Sequence, residues 1–469
     1  MKRSFLIFFL LGVLVLAGAC NGLKEEVAQP LPEDFPTRFS LYSKSEKIRP
    51  AWWLEFDSRE LTRLEDLSLG RNLTLAEARA RLEQARFKAL KTGALSWPEV
   101  NLEGSRSRLQ SDGKGRPRRI EDYWSAGGAV FYEVDLWGRI RALTQSELER
   151  YQASREDLKT AVITVSGAVA ENWVELIANR RHYDLFLQQL ELQHKLLQVV
   201  VSRFPLGKAT ALDVYQQQQI IAKLKTSMIP TLSNQKVLKR SLARLAGRTR
   251  LDDKFFQARD FPEVGSLPPL GLPADLLAAR PDVRAAGLRL EADQWNVAAA
   301  RADRLPAIRL TASGYYNGED SNSLFDNWII NLAGNLTAPI FDGGRRRAEV
   351  GRTRAVVDER LATYRKTVIN AVHEVENAMT REQEATDTLK YLKRQLELSR
   401  RTLREARRRY LNGNSDFINV LNEELNTLQL EHDIISQEKQ VVLARIALYK
   451  TLGGSWLEQV TAGYDKDKK

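Results

Sequence analysis

The sequence predicts a mostly α-helical chain of two tandem repeats, in which long helices are joined to four strands of a transmembrane β-barrel. Three observations predict this class: a constant offset between repeated glycines, helical periodicity over more than 60 residues, and period-two alternation in the segments between the helices. A helix of that length exceeds what a compact globule of 469 residues needs.

A turn signal that occurs twice marks the repeat. The chain reads SRFPLGKATALDVYQQQQ from Ser202 and RRYLNGNSDFINVLNEEL from Arg408, and it places Gly207 and Gly413 206 positions apart. The same offset separates two further pairs of glycines, Gly138 from Gly344 and Gly247 from Gly453. Because three markers keep one spacing, the segments between them have equal lengths in the two copies.

The N-terminus has the order of a secretory signal peptide, predicted over residues 1–19, because basic residues precede an apolar run that ends in small residues. Cys20 follows directly and is the only cysteine, so no disulfide can form within the chain. The letters LAGAC resemble the lipobox of bacterial lipoproteins, in which the cysteine is acylated, with palmitate among the acyl groups. Leu16 lies four positions before Cys20, one more than in that motif. The resemblance implies a lipid anchor, the alternative being an incidental cysteine. Asn21 follows the cysteine in place of the aspartate that resembles an inner-membrane retention signal, which favours the outer membrane.

Charge and composition exclude several classes of function. The net charge is +11, which falls to +9 when residues 1–19 are removed with Lys2 and Arg3. A basic balance can indicate nucleic acid or anionic lipid, but a secreted chain rarely meets nucleic acid, and the arginines are spread along helices as solvated faces. We expect no nucleic-acid partner. With four histidines, three methionines and no GxSxG, Walker, HExxH or paired Cys/His motif, we expect no cofactor, no metal site and no enzyme.

The domain organisation follows from the repeat and from proline. Prolines after Cys20 predict an extended, lipidated linker over residues 20–50, because proline removes helix donors and fixes the backbone. A first repeat of helix, β-hairpin, long helix and helix is predicted over residues 51–265. A second repeat follows over residues 266–456, and a polar tail over residues 457–469.

Apolar residues at helical spacing predict three helices in each repeat. They are Asp57–Leu95, Ile140–Ser202 and Thr210–Gly247, then Ala274–Arg304, Arg345–Leu411 and Asp416–Leu452. The long helix of the first repeat has 63 residues, or about 95 Å at about 1.5 Å per residue. The two shorter helices of a repeat match that length if they stack end to end beside it. Because charges such as Glu171 interrupt the apolar runs, we expect no helix that spans a bilayer.

Alternation of period two predicts two β-hairpins across polar loops. They pair Glu99–Leu109 with Trp124–Val134, and Ala307–Asn317 with Trp328–Ala338. Apolar and polar faces with tryptophan at one end are typical of a transmembrane β-barrel, although an ordinary sandwich hairpin has the same alternation. Four strands cannot close a barrel, and open edges do not occur within a bilayer, so several chains must share one.

Six segments of the mature chain resemble the TolC family of outer-membrane efflux factors, in its lipoprotein, multidrug-type branch. They are WWLEFDSRELTRL, EVDLWGRIR, LLAARPDVRAA, APIFDGGRRRAEV, RYLNG and LYKTLGGSW. The resemblance implies a homotrimeric α/β-barrel channel-tunnel, with a twelve-stranded barrel in the outer membrane and a helical tunnel in the periplasm. It also implies the function of a passive exit duct of a tripartite efflux system. The implied partners are a periplasmic adaptor, an inner-membrane transporter of the RND type and outer-membrane lipid.

The resemblance assigns roles to the two turns. It implies that the turns at Gly207 and Gly413 are periplasmic tips, where the adaptor docks and the channel closes. A helix that ends and reverses needs a left-handed residue, which suits glycine. Arg203 and Arg409 contact the adaptor in this interpretation, the alternative being solvated helix ends. Tyr410 matches a gate tyrosine of the family.

The gate itself departs from the family pattern. Asn419, Asn422 and Glu423 lie at i, i+3 and i+4, and hence on one helix face. The resemblance places the two asparagines where many members carry aspartates, and it makes Asp213 the first-repeat counterpart of Asn419. Ser415 replaces an arginine that some members use to hold the gate shut. We therefore expect a gate that is less anionic than usual, the alternative being ordinary polar positions after a turn.

Two other classes of function share parts of this pattern. An outer-membrane duct for type I protein export has the same fold, and a non-conducting periplasmic coiled-coil scaffold has the same helices. Trp52 and Trp53 are expected to pack the opening helix rather than to touch substrate. Asp342, Gly343 and Gly344 are expected to shape a strand-to-helix bend rather than to bind a ligand.

Overall fold

The computed structural model describes residues 51–113, 116–265, 267 and 280–453. The predicted signal peptide, the linker with Cys20 and the polar tail lie outside the described residues, and so does the predicted start of a helix at Ala274. The described chain forms two compact units. The strand-containing unit comprises residues 80–156 and 284–367, and the helical unit comprises residues 51–79, 157–283 and 368–453. Each unit takes residues from both predicted repeats.

Four strands form one antiparallel sheet in the order β1-β2-β3-β4. Their bounds are Glu99–Gly113 for β1, Arg116–Val134 for β2, Ala307–Gly318 for β3 and Asn327–Thr337 for β4. The predicted strands are confirmed, but the polar loop predicted between the first two was too long. Pairing continues to Gly113 and Arg116, because the ladder is made by backbone N–H and C=O groups, which polar residues carry as well as apolar ones.

The register of the sheet separates an apolar face from a polar one. Val100 pairs with Val130, which pairs with Ala312 of β3. The next row, one residue along each strand, contains Asn101, Ala129, Ser313 and Asn331. Paired residues point to the same side of a sheet, so the predicted alternation is confirmed. Leu102 on the apolar face is 89% exposed, which leaves this face open in a single chain.

Seven α-helices lie among the described residues. They are α1 (Arg59–Arg71), α2 (Leu73–Gly93), α3 (Arg139–Arg203), α4 (Ala211–Leu245), α5 (Pro281–Ala302), α6 (Arg345–Leu411) and α7 (Phe417–Leu452). α3 and α6 contain 65 and 67 residues, or about 100 Å each at about 1.5 Å per residue. The long helices are thus confirmed almost residue for residue.

The opening helix is not continuous, which corrects the predicted span of 57–95. It breaks at Asn72, whose backbone is extended and whose side chain accepts from the amide of Leu75 at 3.1 Å. The same side chain donates to the carbonyl of Leu245 at 2.8 Å. Gly247, with φ of 64°, approaches so closely that a Cβ there would collide with the carbonyl oxygen of Arg71. The helix therefore breaks where Arg71 and Asn72 contact the end of α4.

The helical unit has a core into which Trp52 and Trp53 are buried, at 1% and 3% exposure. Trp52 stacks on Tyr449 with ring centroids 5.6 Å apart, so the expected packing role of these tryptophans is confirmed. On length and composition, α3 contains one stretch apolar enough to cross a membrane, contrary to the sequence argument. Since 67% of that stretch is buried inside the protein, its apolar character is that of a core helix.

Aspartates open both long helices. The carboxylate of Asp135 accepts from the amides of Ile140 and Arg141 at 2.9 and 2.8 Å. Asp342 accepts from Gly344 at 3.1 Å and from Arg346 at 3.2 Å. Orphan amides at a helix N-terminus are satisfied in this way. The structure thus gives Asp342 the expected shaping role.

Candidate gate at the two turns

The two turns close with the same hydrogen bonds. At the end of α3, the amide of Gly207 donates to Phe204 at 3.0 Å and the next amide donates to the carbonyl of Arg203 at 3.1 Å. At the end of α6, the amide of Gly413 donates to Tyr410 at 3.1 Å and the next amide to Arg409 at 2.9 Å. With φ of 68° and 77°, both glycines are left-handed, as this helix cap requires. The turn that recurs in the sequence is one backbone structure formed twice.

The helices restart differently after the two turns. Thr210 and Asp213 form a reciprocal cap, in which the Thr210 hydroxyl accepts at 3.2 Å and the Asp213 carboxylate accepts at 2.7 Å. In the second repeat, Asp416 makes no side-chain cap. The amide group of Asn419 donates instead to the hydroxyl of Ser415 at 3.0 Å. Of the two aligned positions predicted at the gate, Asp213 caps its helix by accepting from a backbone amide, whereas Asn419 bonds to a side chain of the turn.

Tyr410 lies between the turns rather than on their surface. Its side chain is 9% exposed, its ring centroid is 5.3 Å from that of Phe417, and the guanidinium of Arg203 lies 4.9 Å above it. Its hydroxyl has no hydrogen-bond partner among the described residues. A guanidinium over an aromatic face is attractive, so Arg203 ties the first turn to the second.

The two predicted docking arginines are therefore unlike each other. Arg409 is exposed and binds Glu405 at 3.0 Å, and Glu405 also binds Arg408. Hydrogen bonds from Arg408 and then Arg409 lower the pKa of the Glu405 carboxyl. Arg409 thus remains at the surface, whereas Arg203 packs on a ring.

The structure brings some predicted site residues together and leaves others apart. A cavity of about 760 Å³ lies between the turns. Five predicted residues are among those that line it: Arg203, Gly207, Asp213, Tyr410 and Gly413. Asn419 and Asn422 are exposed and Glu423 is half-buried, and these three do not line the cavity. They lie further along α7, on the face that the sequence predicted.

Glu424, which was not predicted as a site residue, is 2% exposed. Its carboxylate binds Arg407 of α6 and accepts from Gln193 of α3 at 3.0 Å. Gln193 in turn accepts from Gln217 of α4 at 2.6 Å. One chain of hydrogen bonds therefore joins α6, α7, α3 and α4. The signal was present in the sequence, because Glu424 falls on the stripe of α7 that is otherwise apolar at Val420 and Leu428.

The neighbourhood of this network is strongly basic. Residues 390–409 of α6 contain nine lysines and arginines and two glutamates. Several of these cations reach carboxylates of α7, as Arg400 does with Glu431 at 2.8 Å and Lys393 with Glu438 at 3.2 Å. α6 is thus held to α7 by ion pairs along its exposed flank.

The chain matches known proteins over most of its length. It matches the family described as outer membrane efflux protein over residues 64–248 and 272–454. The pyoverdine export outer membrane protein OpmQ of Pseudomonas aeruginosa is 32% identical, with 95% of this chain and 96% of OpmQ covered. Outer membrane protein OprJ of Pseudomonas aeruginosa is 31% identical, with 72% and 71% covered. The solved outer-membrane channel OprN superposes with a TM-score of 0.83 at 26% identity, over 92% of this chain and 100% of that one.

Proposed function

Because this chain belongs to the outer membrane efflux protein family, we propose that it is the exit duct of a tripartite pump that expels small molecules. It is an outer-membrane component of an efflux system and belongs to a family of channels, not of enzymes. In our proposal it conducts passively, and a periplasmic adaptor connects it to an inner-membrane transporter of the RND type. Cys20 carries the proposed lipid anchor.

The observation that carries this function is the exposed apolar face of the four-stranded sheet. Leu332 and Leu336 are 77% and 70% exposed, while Asn331 and Asn335 of the same strand point to the other side. An apolar outer face and a polar inner face are what a water-filled membrane barrel requires. A coiled-coil scaffold has no use for such a sheet.

We propose that the duct is a homotrimer, in which the edge of β1 pairs with the edge of β4 from the next copy. β1 and β4 are the outer strands of the described sheet, and edges without partners do not occur within a bilayer. Exposed large apolar side chains lie just beyond the ends of both edge strands: Trp97 before β1 is 75% exposed, and Phe341 after β4 is 92% exposed. Three sheets of four strands then give the twelve-stranded barrel.

A cysteine pair tests the proposed edge contact. Residues just before β1 and just after β4 lie at the same end of the sheet, so Trp97→Cys and Phe341→Cys in one chain should form disulfides between copies. We expect a covalent species of three chains on a denaturing gel. The matched control pairs Trp97→Cys with Trp328→Cys, at the opposite end of β4, and should not cross-link. A covalent dimer alone would contradict the trimer.

Efflux from living cells tests the function. Cells that lack their own exit duct receive this chain with its native adaptor and pump, and the loss of a preloaded fluorescent dye is followed. We expect the wild-type chain to restore efflux and Gly413→Pro to abolish it, because proline cannot adopt φ of 77°. Gly70→Ala, in open space on α1, is the matched control and should restore efflux fully. Absence of rescue by correctly inserted wild-type chain would favour protein export.

The turns and the gate form the periplasmic end of the proposed duct. Adaptor docking is assigned to the turns with Gly207, Gly413 and Arg409, where exposed backbone and a cation are available. Arg203 supports this surface from behind through its contact with Tyr410. The constriction is assigned to four residues after the turns: Asp213, Asn419, Asn422 and Glu423.

A further inference from the structure

Two of the four histidines of the chain meet between α3 and α7. The Nδ1 atoms of His182 and His432 are 2.8 Å apart, and the ring planes differ by 20°. Both side chains are half-buried, and the ring of Phe186 packs on His432 with centroids 4.2 Å apart. A nitrogen pair at this distance must share one proton, so the contact depends on protonation.

The surrounding groups fix where the protons lie. Gln189 donates its amide to the carboxylate of Glu431 at 3.1 Å, which leaves its oxygen to accept from His432 Nε2 at 3.2 Å. His432 therefore carries its proton on Nε2 and presents a lone pair at Nδ1. The proton between the rings belongs to His182, whose Nε2 faces the hydroxyl of Ser436 at 3.5 Å.

The charges around the pair are largely engaged with other partners. On α7, Glu431 binds Arg400 of α6 and Lys439 binds Glu175 of α3. Asp433 of α7 accepts from Gln429, and Arg181 of α3 binds Glu438. Most charges around the pair are thus compensated by ion pairs, whereas the carboxylate of Asp433 is bound by the neutral amide of Gln429 and favours the protonated form of both rings.

Burial and neighbouring cations disfavour the protonated rings. Burial, then His432, Lys439 and Arg181, lower the pKa of His182 from 6.5 to about 4. Burial also lowers the pKa of His432, although Glu431 and Asp433 oppose that shift. Both rings are consequently neutral at neutral pH while α3 and α7 stay together.

We propose that His182 and His432 form a proton-sensitive clasp that holds α3 to α7 at neutral pH and releases them in acid, opening the duct. A first added proton is taken up at Nε2 of His182, where it faces the hydroxyl of Ser436. A second proton, on Nδ1 of His432, sets two N–H groups and two positive charges against each other. The proposal rests on the proposed function, since it describes regulation of the same gate.

The clasp is connected to the gate by a ladder of polar contacts. Gln189 and Gln193 follow His182 along α3 toward the first turn. Gln189 donates to Glu431 of α7, and Gln193 donates to Glu424 of α7. His182 and Gln193 are 11 positions apart, which corresponds to about 16 Å along a helix that rises about 1.5 Å per residue. Movement of α7 at the clasp therefore strains the network at Glu424, which joins the helices near both turns.

The direction of the pH effect follows from linkage. A ring with a pKa near 4 in the closed state and its ordinary 6.5 when released binds more protons in the open state between these values. The closed state therefore loses stability as the pH falls through this window. For one such ring, acidification from about pH 7 to about pH 5 shifts the equilibrium toward the open state on the order of tenfold.

Bilayer conductance of the full-length chain tests the clasp. We expect the open probability of the wild-type duct to rise on the order of tenfold from about pH 7 to about pH 5. The double variant His182→Gln with His432→Gln should lose this response. His194→Gln changes an exposed histidine of the same helix α3 and is the matched control that should keep it. A double variant with an unchanged acid response overturns the clasp but leaves the duct intact, whereas a wild-type chain that conducts at no pH overturns the duct.

A distance measurement guards against a variant that fails to fold. Spin labels at Gln188 of α3 and Gln429 of α7, both exposed, report the separation of the two helices in the wild-type background. We expect the distance to increase as the pH falls, and to stay constant when the two histidines are replaced. A constant distance in the wild-type background overturns the proposal.

Discussion

The two long helices, α3 and α6, began as copies and now have different surfaces. They are 65 and 67 residues long and end in the same glycine cap. α3 carries nine basic and eight acidic residues, and its central part is buried on several sides around Trp173. α6 carries eighteen basic and ten acidic residues, and it buries a narrow stripe that repeats every seven residues, as at Val368, Val375 and Glu382.

The comparison shows which features a duplication has preserved. Length and turn geometry are the same in both copies, because the partner helices in each repeat must start and stop at matching levels. The side chains around the helices are not the same. A seven-residue stripe is the pattern of a coiled-coil seam, so α6 contacts its partner along one line and exposes its charges elsewhere.

The largest effect on the free energy of unfolding is expected from a substitution at Glu424, where the two repeats differ. Removal of one partner of a fully buried ion pair typically costs about 3–5 kcal/mol, and Glu424→Ala leaves the buried Gln193 and Arg407, whose side chain is 33% exposed, without their shared acceptor. We expect the free energy of unfolding to fall by about 3 kcal/mol, seen as a lower thermal midpoint of the circular dichroism signal.

The matched control is Gln218→Ala, 206 positions earlier and exposed. It should change the free energy of unfolding by less than about 0.5 kcal/mol. Equal effects at the two positions would show that the polar network does not distinguish the repeats.

A second difference is between two buried carboxylates, one in α6 and one in α1. Glu382 of α6 binds Arg445 with both its oxygens at 3.1 Å or less, whereas Glu65 of α1 is fully buried and has no hydrogen-bond partner among the described residues. Burial, and then Asp66, raise the pKa of Glu65 well above 4.5. The folded chain therefore holds this proton when the unfolded chain has lost it.

Glu65→Gln should remove the pH dependence that this carboxyl causes. In the wild type, the contribution of Glu65 is fully present below its unfolded pKa and is lost as the pH rises through the folded one. We expect the thermal midpoint of the wild type to fall, relative to that of Glu65→Gln, as the pH rises above 4.5, the ordinary pKa of a glutamate. A constant difference between the two proteins would mean that Glu65 is not buried as a neutral acid.

The two turns should respond alike. A residue with a Cβ in a left-handed conformation costs about 1–2 kcal/mol, and neither Gly207 nor Gly413 has a neighbour that a Cβ would touch. We expect Gly207→Ala and Gly413→Ala each to lower the free energy of unfolding by about 1 kcal/mol, measured by chemical denaturation. A difference of more than about twofold would show that the shared cap is not equally stabilising.

The smallest effect on stability is expected at the proposed gate. Asn419→Asp gives the second repeat the residue that the first repeat has at Asp213, and both positions are accessible. We expect stability to change by less than about 0.5 kcal/mol, while the preference of the channel for cations increases because a charge is added to the proposed constriction. Asp213→Asn is the reciprocal control and should decrease that preference. Unchanged selectivity in both variants would remove these residues from the constriction.

Much of the fold could be predicted because its signals are local. Helical and period-two patterns gave the bounds of α6 and of β3 to within a residue, and repeated glycines gave both turns. The break at Asn72 could not be predicted in this way, since it depends on the end of α4 more than 170 positions later. The contact of Arg203 with Tyr410 has the same origin, because it joins residues from different repeats.

Two adjacent glutamates of the candidate gate region show most clearly what could not be predicted from the sequence. The sequence selected Glu423 by its spacing from Asn419, whereas the fold buries Glu424. One step along a helix turns the side chain by about 100°, so the placement of three neighbouring helices decides which carboxylate meets Arg407.

The sequence by itself determined the repeat, the lengths of the helices, the two faces of the sheet and the left-handed turns, because each follows from periodicity or from the steric freedom of glycine. Only the tertiary structure decided that Glu424 joins four helices, that Tyr410 is buried and that His182 meets His432. These contacts join α3 with α6 or α7, and local pattern does not encode how helices distant in the chain are rotated against one another.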